Sequence, residues 1–244
     1  MLIPIGDDNS RRSTFPFVVL ALIGANALVW YLQLTLGERF TAGFSAVPLE
    51  ITRGIDLLTP QAVIIEGHRI TIPQARGPDP IYLTLLSSMF MHGSWMHIIG
   101  NMVYLFIFGD QIEDELGHFK FLVFYLLSGF AAAAAQIGAE PNSIIPCVGA
   151  SGAIAGVLGA YLILHPKNQV RVLVFQSMMH VPAIIVLVMW GVMQFFGQLT
   201  ALKGHHTGVA YMAHLGGFVV GLAVACFMRA AKWRRSRIQL PRDR

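Results

Sequence analysis

Cys147-Val148-Gly149-Ala150-Ser151-Gly152-Ala153-Ile154-Ala155-Gly156 sets one hydroxyl in a run of small and apolar residues that continues to His165-Pro166. Ala150 to His165 is 16 residues. At about 1.5 Å per residue such a helix is about 24 Å long, short of a hydrocarbon core of about 30 Å. Ser151 then opens a short helix whose start is sunk below the membrane surface. Free N–H groups at a sunken helix start are costly in lipid. A water-filled active site is the compensation this reading expects.

Composition supports a membrane setting. The 244 residues are 55% hydrophobic and 12% charged, and the mean hydropathy is +0.61; soluble domains carry roughly 25% charged residues. Net charge is +4, but much of the basicity lies after Met228, a placement that speaks for membrane topology and against a nucleic-acid partner. The two cysteines, Cys147 and Cys226, have no metal spacing and fall near opposite ends of their spans, so no bridge between them is expected.

Working outward, the apolar segments predict an all-α polytopic bundle of six transmembrane helices. They are Phe15–Leu36, a segment Ile81–Gly109 divided at Gly93-Ser94 with a helix opening at Trp95, Phe121–Gly138, the short Ala150–His165, Val172–Gly197 and Gly208–Met228. Residues 109–120 read as a charged turn and His205-His206 as a solvated loop pair. The organisation is then 1–14 as a cytoplasmic N-terminus, 15–230 as the membrane domain with an external loop 37–80, and 231–244 as a basic cytoplasmic tail. The face holding the termini and the turns 109–120 and 166–171 carries 12 of the 17 Lys and Arg. The positive-inside rule therefore places both termini in the cytoplasm.

In that topology the second, fourth and sixth helices all descend from the outer face. His97 and Asn101, Ser151, and His214 then gather at similar depth, and intramembrane ionisable groups are functional candidates. Gly152-x-x-x-Gly156 and Gly217-x-x-x-Gly221 allow the fourth and sixth helices to approach closely. Ser151 is the candidate nucleophile and His214 the candidate general base. No carboxylate is available at this depth, so a dyad is expected. His97, Asn101 and the Ser151 N–H are candidate oxyanion donors. His92 falls across the break and reads as structural.

His92-Gly-Ser-Trp-Met-His97-Ile-Ile-Gly-Asn101, Gly149-Ala-Ser151-Gly152 and Ala213-His214-Leu-Gly-Gly217-Phe-Val-Val-Gly221 together resemble the three signatures of rhomboid intramembrane serine proteases. The resemblance covers about residues 81–230. It implies cleavage of membrane-anchored proteins in or near their transmembrane segment, without metal or cofactor, with Ser151 as nucleophile, His214 as base, and His97 and Asn101 at the oxyanion. It also gives Glu113 a structural place in the turn after the second span. Six spans without a seventh resemble the simpler bacterial form, so a bacterial cell membrane is the expected location. Some family members stack a Tyr on the base, four residues after the nucleophile. Here that position is Ala155, which leaves Tyr211 or Tyr161 as candidates to orient His214. Many also carry a Trp-Arg pair in the first loop, and 37–80 has no Trp.

Other classes fit less well. There is no H-E-x-x-H for a zinc protease, no strand-to-helix G-x-S-x-G elbow, and no repeat or second broken helix for a transporter. The rival that keeps the fold is a catalytically inactive rhomboid-like protein that binds or escorts membrane clients; the intact Ser151 and His214 argue against it.

Overall fold

The computed structural model describes residues 2–10, 12–65, 68–174, 177–202 and 209–238. Arg11, Lys203, His205-His206 and the tail residues Arg242 and Arg244 lie outside the described residues. Strand β1 (Leu2–Asp7) leads into α1 (Phe17–Leu36). Then come α2 (Glu38–Phe44), α3 (Pro48–Arg53) and the hairpin of β2 (Gln61–Ile65) with β3 (His68–Ile72). The one-turn helix α4 (Thr84–Ser87) sits between two 3₁₀ turns. It is followed by α5 (Trp95–Leu116), α6 (His118–Ala139), α7 (Ser151–Leu164), β4 (Gln169–Val174), β5 (Ser177–Pro182), α8 (Ala183–Leu202) and α9 (Tyr211–Ile238).

Helices α1, α6 and α8 and the Tyr211–Ala231 part of α9 are long and apolar enough to cross a membrane. Their lipid-facing surfaces stay apolar, as with Phe195, Phe196 and Phe227, because outside a bundle there is only hydrocarbon to meet. The 14-residue α7 is different: every residue from Gly152 to Tyr161 is buried. It packs against α5, α6, α8 and α9. Its start and its length are therefore set by protein on all sides.

Two expectations are corrected. Val172–Gly197 is not one continuous helix. Gln169–Val174 alternates, with Val170 and Val172 buried between exposed Gln169 and Arg171. That is the period of a half-buried strand. The helix begins only after Pro182, at Ala183. Strand β1 pairs antiparallel with β4, which pairs with β5. The stretch 109–120 is mostly helix, and its acids Asp110, Glu113 and Asp114 are partnered. Glu113 accepts hydrogen bonds from the N–H groups of Val18 (2.9 Å) and Val19 (2.8 Å) at the start of α1. Asp110 pairs with Arg12 at 2.7 Å, and Asp114 takes Ser13 and Thr14. Only Gly117, at φ +76°, separates α5 from α6, in the left-handed region that favours glycine.

Segment 37–80 is built rather than loose. Ala46 and Cys147 exchange backbone hydrogen bonds at 3.2 and 2.8 Å, Leu49 N–H reaches Ser143 O at 3.0 Å, and Gln74 donates to Ile144 O at 2.9 Å. Val47 is fully buried. This segment thereby holds the chain that leads into Gly149 and Ser151, without the Trp seen in many first loops.

The N-terminal strand is anchored by a buried polar cluster. Tyr161 O–H donates to Asp7 Oδ2 at 2.6 Å, Gln111 donates to the same oxygen at 3.2 Å, and Asn168 donates to the Tyr161 oxygen at 2.7 Å. Burial, helped by the nearby Asp110, pushes the Asp7 carboxyl up to about 6 against the hydrogen bonds of Tyr161 and Gln111. A carboxyl raised by folding binds its proton more tightly in the folded chain. Its stabilisation is therefore full below the ordinary carboxylate range and is lost as pH rises through about 6. Amide exchange of residues 2–7 should accelerate between pH 5 and 7, beyond the intrinsic rise, by roughly three- to tenfold. Asp7→Asn should flatten that dependence; an unchanged dependence in Asp7→Asn would mean that another group drives it.

Candidate active site

Ser151 is the first residue of α7. Gly149 precedes it at φ +125°, and its N–H is held by Ser88 O at 2.8 Å. No side chain caps that helix start, so its first N–H groups and the positive end of the helix dipole have no side-chain partner beside the Ser151 hydroxyl.

Two glycine positions bring in the other helix. A Cβ on Gly217 would overlap the Gly152 carbonyl oxygen, and one on Gly221 would overlap that of Gly156. Glycine permits backbone contact between α7 and α9. In that registry His214 Nε2 lies 2.8 Å from Ser151 Oγ. Burial of Gly152 against Ala132 of α6 fixes the other side.

His97 comes from the first turn of α5. Ser94 Oγ caps that helix by accepting from His97 N–H at 3.2 Å, and the ring Nδ1 accepts from Gly93 N–H at 3.4 Å. A neutral imidazole that accepts at Nδ1 carries its proton on Nε2. That Nε2 is directed at the Gly149 turn: a Cβ on Gly149 would stand 2.8 Å from His97 Nε2 and 3.5 Å from Ser151 Oγ.

Asn101 and His92 form a pair behind His97. Asn101 Nδ2 is 2.9 Å from His92 Nε2, while His92 Nδ1 faces Phe90 O at 3.2 Å. Nδ1 therefore donates and Nε2 accepts. The His92 backbone is clamped on both sides by Gln33 of α1, at 2.9 Å each. His92 thus ties the segment before α5 to the bundle. Glu113 is not near this site; it lies at the opposite end of α5.

His214 Nδ1 is 2.7 Å from Gln194 Oε1 on α8, and the Trp190 ring lies 5.9 Å from the imidazole at 40°. Neither residue was singled out from sequence. A signal existed: Trp190, Gln194 and Gln198 are four apart, one face of a span that is otherwise apolar. Tyr161, a sequence candidate for orienting His214, instead bonds Asp7 at the far end of α7. Tyr211 packs its ring on Gly197.

These groups line a cavity of about 830 Å³, with Ser151, His214, His97, Asn101 and Trp190 on its walls and Ile70 and Ile72 of β3 beside them. That is room for a short peptide segment. A serine hydroxyl against an imidazole acceptor, with N–H donors alongside, is an arrangement suited to acyl transfer.

Residues 80–231 match the family model described as Rhomboid domain. The chain belongs to the rhomboid family. With the four apolar helices, that membership makes it an integral membrane protein. It is 26% identical over 219 residues to RHOMBOID-like protein 4 of Arabidopsis thaliana, covering 86% of this chain and 52% of that protein. It is 30% identical over 152 residues to the putative rhomboid protease YdcA of Bacillus subtilis, covering 62% of this chain and 69% of the relative. To the rhomboid protease AarA of Providencia stuartii it is 28% identical over 157 residues, covering 57% and 53%. The chain spans about half the length of the Arabidopsis relative and of AarA. The rhomboid match contains α5, α6, α7, α8 and α9 up to residue 231; α1 and residues 37–79, which brace the site, fall before it.

Proposed function

We propose that this rhomboid is an intramembrane serine endopeptidase that cleaves membrane-anchored proteins in or near their transmembrane segment. The observation that carries this reading is the 2.8 Å contact between Ser151 Oγ and His214 Nε2. Ser151 attacks the scissile carbonyl while His214 takes the hydroxyl proton. The tetrahedral oxyanion forms beside the Ser151 N–H and the Nε2–H of His97. His214 then returns the proton to the leaving amine, and water releases the acyl group by the same route. The membrane domain crosses six times: α5 and the short α7 join the four long apolar helices. Both termini and the β1–β4–β5 sheet lie on the cytoplasmic side, and the β2–β3 hairpin lies outside, at the cavity mouth. A bacterial cell membrane suits this arrangement.

Labelling with a fluorophosphonate probe tests it. The probe should modify Ser151 in the wild type and nothing in Ser151→Ala, and membrane proteomics should reveal ectodomains shed only by the wild type. A chain that neither labels nor sheds any ectodomain is a client-binding rhomboid, not a protease.

Asn101 has one Nδ2–H committed to His92 and a position on the cavity wall, so its second N–H is available to the oxyanion. Losing one such donor costs about 10² to 10³ in rate where it is a main contributor. With two other donors present, Asn101→Ala should lower kcat by roughly ten- to a hundredfold at similar KM. It should also lower the melting temperature, since His92 Nε2 loses its partner. Wild-type kcat with only the melting temperature reduced would leave Asn101 as a helix-to-helix tie.

A further inference from the structure

Gln194 stands out among the residues of α8. From Ala183 to Phe196 it is the one amide side chain. Its neighbours Val192, Met193, Phe195 and Phe196 face outward, while Gln194 is half-buried and turned inward. A polar group held in an apolar span is costly unless it is partnered. Its partner is the imidazole that also contacts Ser151: Gln194 Oε1 is 2.7 Å from His214 Nδ1, and His214 Nε2 is 2.8 Å from Ser151 Oγ.

The chemistry of the contact sets the tautomer. An amide oxygen only accepts, so His214 must carry its proton on Nδ1. The lone pair of Nε2 then points at the Ser151 hydroxyl, the state a general base needs. The reverse tautomer would turn an N–H toward Ser151 and leave the ring unable to take its proton. Trp190, one turn earlier on α8, lies against the same ring. Residues four apart share a helix face, so α8 grips the imidazole at one edge and over its plane.

Resting on the serine-protease reading above, we propose that Gln194 is a positioning residue for His214, whose side-chain oxygen fixes the tautomer and ring orientation that let His214 act on Ser151. The reacting set is then Ser–His–Gln rather than a bare pair, with an uncharged amide where soluble serine proteases use a carboxylate. A neutral partner suits the site. It orients the ring without placing a permanent charge among apolar helices. It also takes over the task that Ala155 leaves open.

The test uses the full chain in detergent and the rate of Ser151 labelling by a fluorophosphonate. In that reaction the Ser151 oxygen bonds to phosphorus, fluoride leaves and His214 takes the hydroxyl proton. The readout needs no knowledge of the natural substrate. Gln194→Met keeps the length of the side chain and removes the acceptor. Loss of the orienting carboxylate in a soluble serine protease costs about 10⁴, and a neutral acceptor holds less strongly, so a fall of roughly ten- to a hundredfold in labelling rate is expected. The melting temperature should fall only modestly, since the His214 Nδ1–H alone loses its partner. Gln194→Glu restores an acceptor and should recover most of the rate at high pH. Its charge favours the protonated imidazole, so the acid limb of the pH–rate profile should move to higher pH by on the order of one unit. The other titratable side chains on this cavity are His97 and Tyr104 of α5, Glu140 after α6 and Cys147 before α7; all stay unaltered in the variants.

A Gln194→Met protein that labels as fast as wild type, with the same acid limb, overturns the inference. So does a rate that falls only in step with the melting temperature and is not recovered by Gln194→Glu, since that would be a packing effect. A wild type that fails to label at any pH sinks the serine-protease reading, and the role of Gln194 with it.

Discussion

Ser151→Ala and His214→Ala should each bring cleavage and probe labelling below detection while leaving the folded protein in the membrane. The two side chains meet at 2.8 Å and in the proposed mechanism work on one proton, so removing either should leave the other without a task. In a soluble serine protease each such loss costs about 10⁶ in kcat, about as much as removing the whole set. The double variant should therefore be no worse than either single one. Losses that add would mean that the two residues act independently and would contradict the dyad. Ser151→Ala should change stability little, because that contact is one hydrogen bond, worth about 1 kcal/mol net; His214→Ala also leaves Gln194 Oε1 without its partner and should lower the melting temperature by more. Proteoliposomes carrying a cleavable transmembrane substrate, with a thermal melt of each variant, supply both measurements.

The second large effect is expected at the α7–α9 contact. Gly217→Val places a side chain where the Gly152 carbonyl oxygen already stands. Backbone cannot rotate aside as a side chain does, so the helices must separate. Overpacking a core usually costs about 1–3 kcal/mol, and contact with backbone belongs at or above the top of that range. The same separation carries His214 away from Ser151. A misplacement of about 1 Å is enough to cost roughly 10² in rate. Gly217→Val should thus lose both melting temperature and labelling. Gly24→Ala in α1 is the control: a Cβ there meets nothing within 4 Å, and the substitution should be neutral or slightly stabilising. A Gly217→Val protein that melts and labels like wild type would show that α7 and α9 need no backbone contact.

The two variants probe different levels of the same arrangement. In the proposed reaction Ser151 and His214 supply the chemistry; Gly217 and Gly221 supply the close helix approach that lets them meet. Gln194 sits between these levels. It touches no substrate in this reading, yet it decides which nitrogen of His214 carries the proton.

Much of this was legible in the residues themselves. Membrane character follows from apolar runs long enough to cross a bilayer, and membership of the rhomboid family follows from three motifs whose order and spacing occur together. The approach of α7 to α9 could be read because Gly152-x-x-x-Gly156 and Gly217-x-x-x-Gly221 put bare backbone on one face of each helix, a local property of spacing. The segment 169–182 could not be read this way. Its Val and Met content resembles a span by hydropathy, and only the pairing of β4 with β1, more than 160 residues earlier, and of β5 with β4 makes these strands. The acids at 110–114 looked like a solvated turn for the same reason: their partners, Arg12, Ser13, Thr14 and the start of α1, are about 100 residues away. Gln194 is the sharpest case. An amide in the apolar part of a helix announces that something must satisfy it, but which group does so depends on how α8 is rotated against α9. By itself the sequence determined the periodicities, the small-residue faces and the residue types able to do acyl-transfer chemistry. Only the tertiary structure decided the partners, because a hydrogen bond between distant segments is specified by the packing of everything between them.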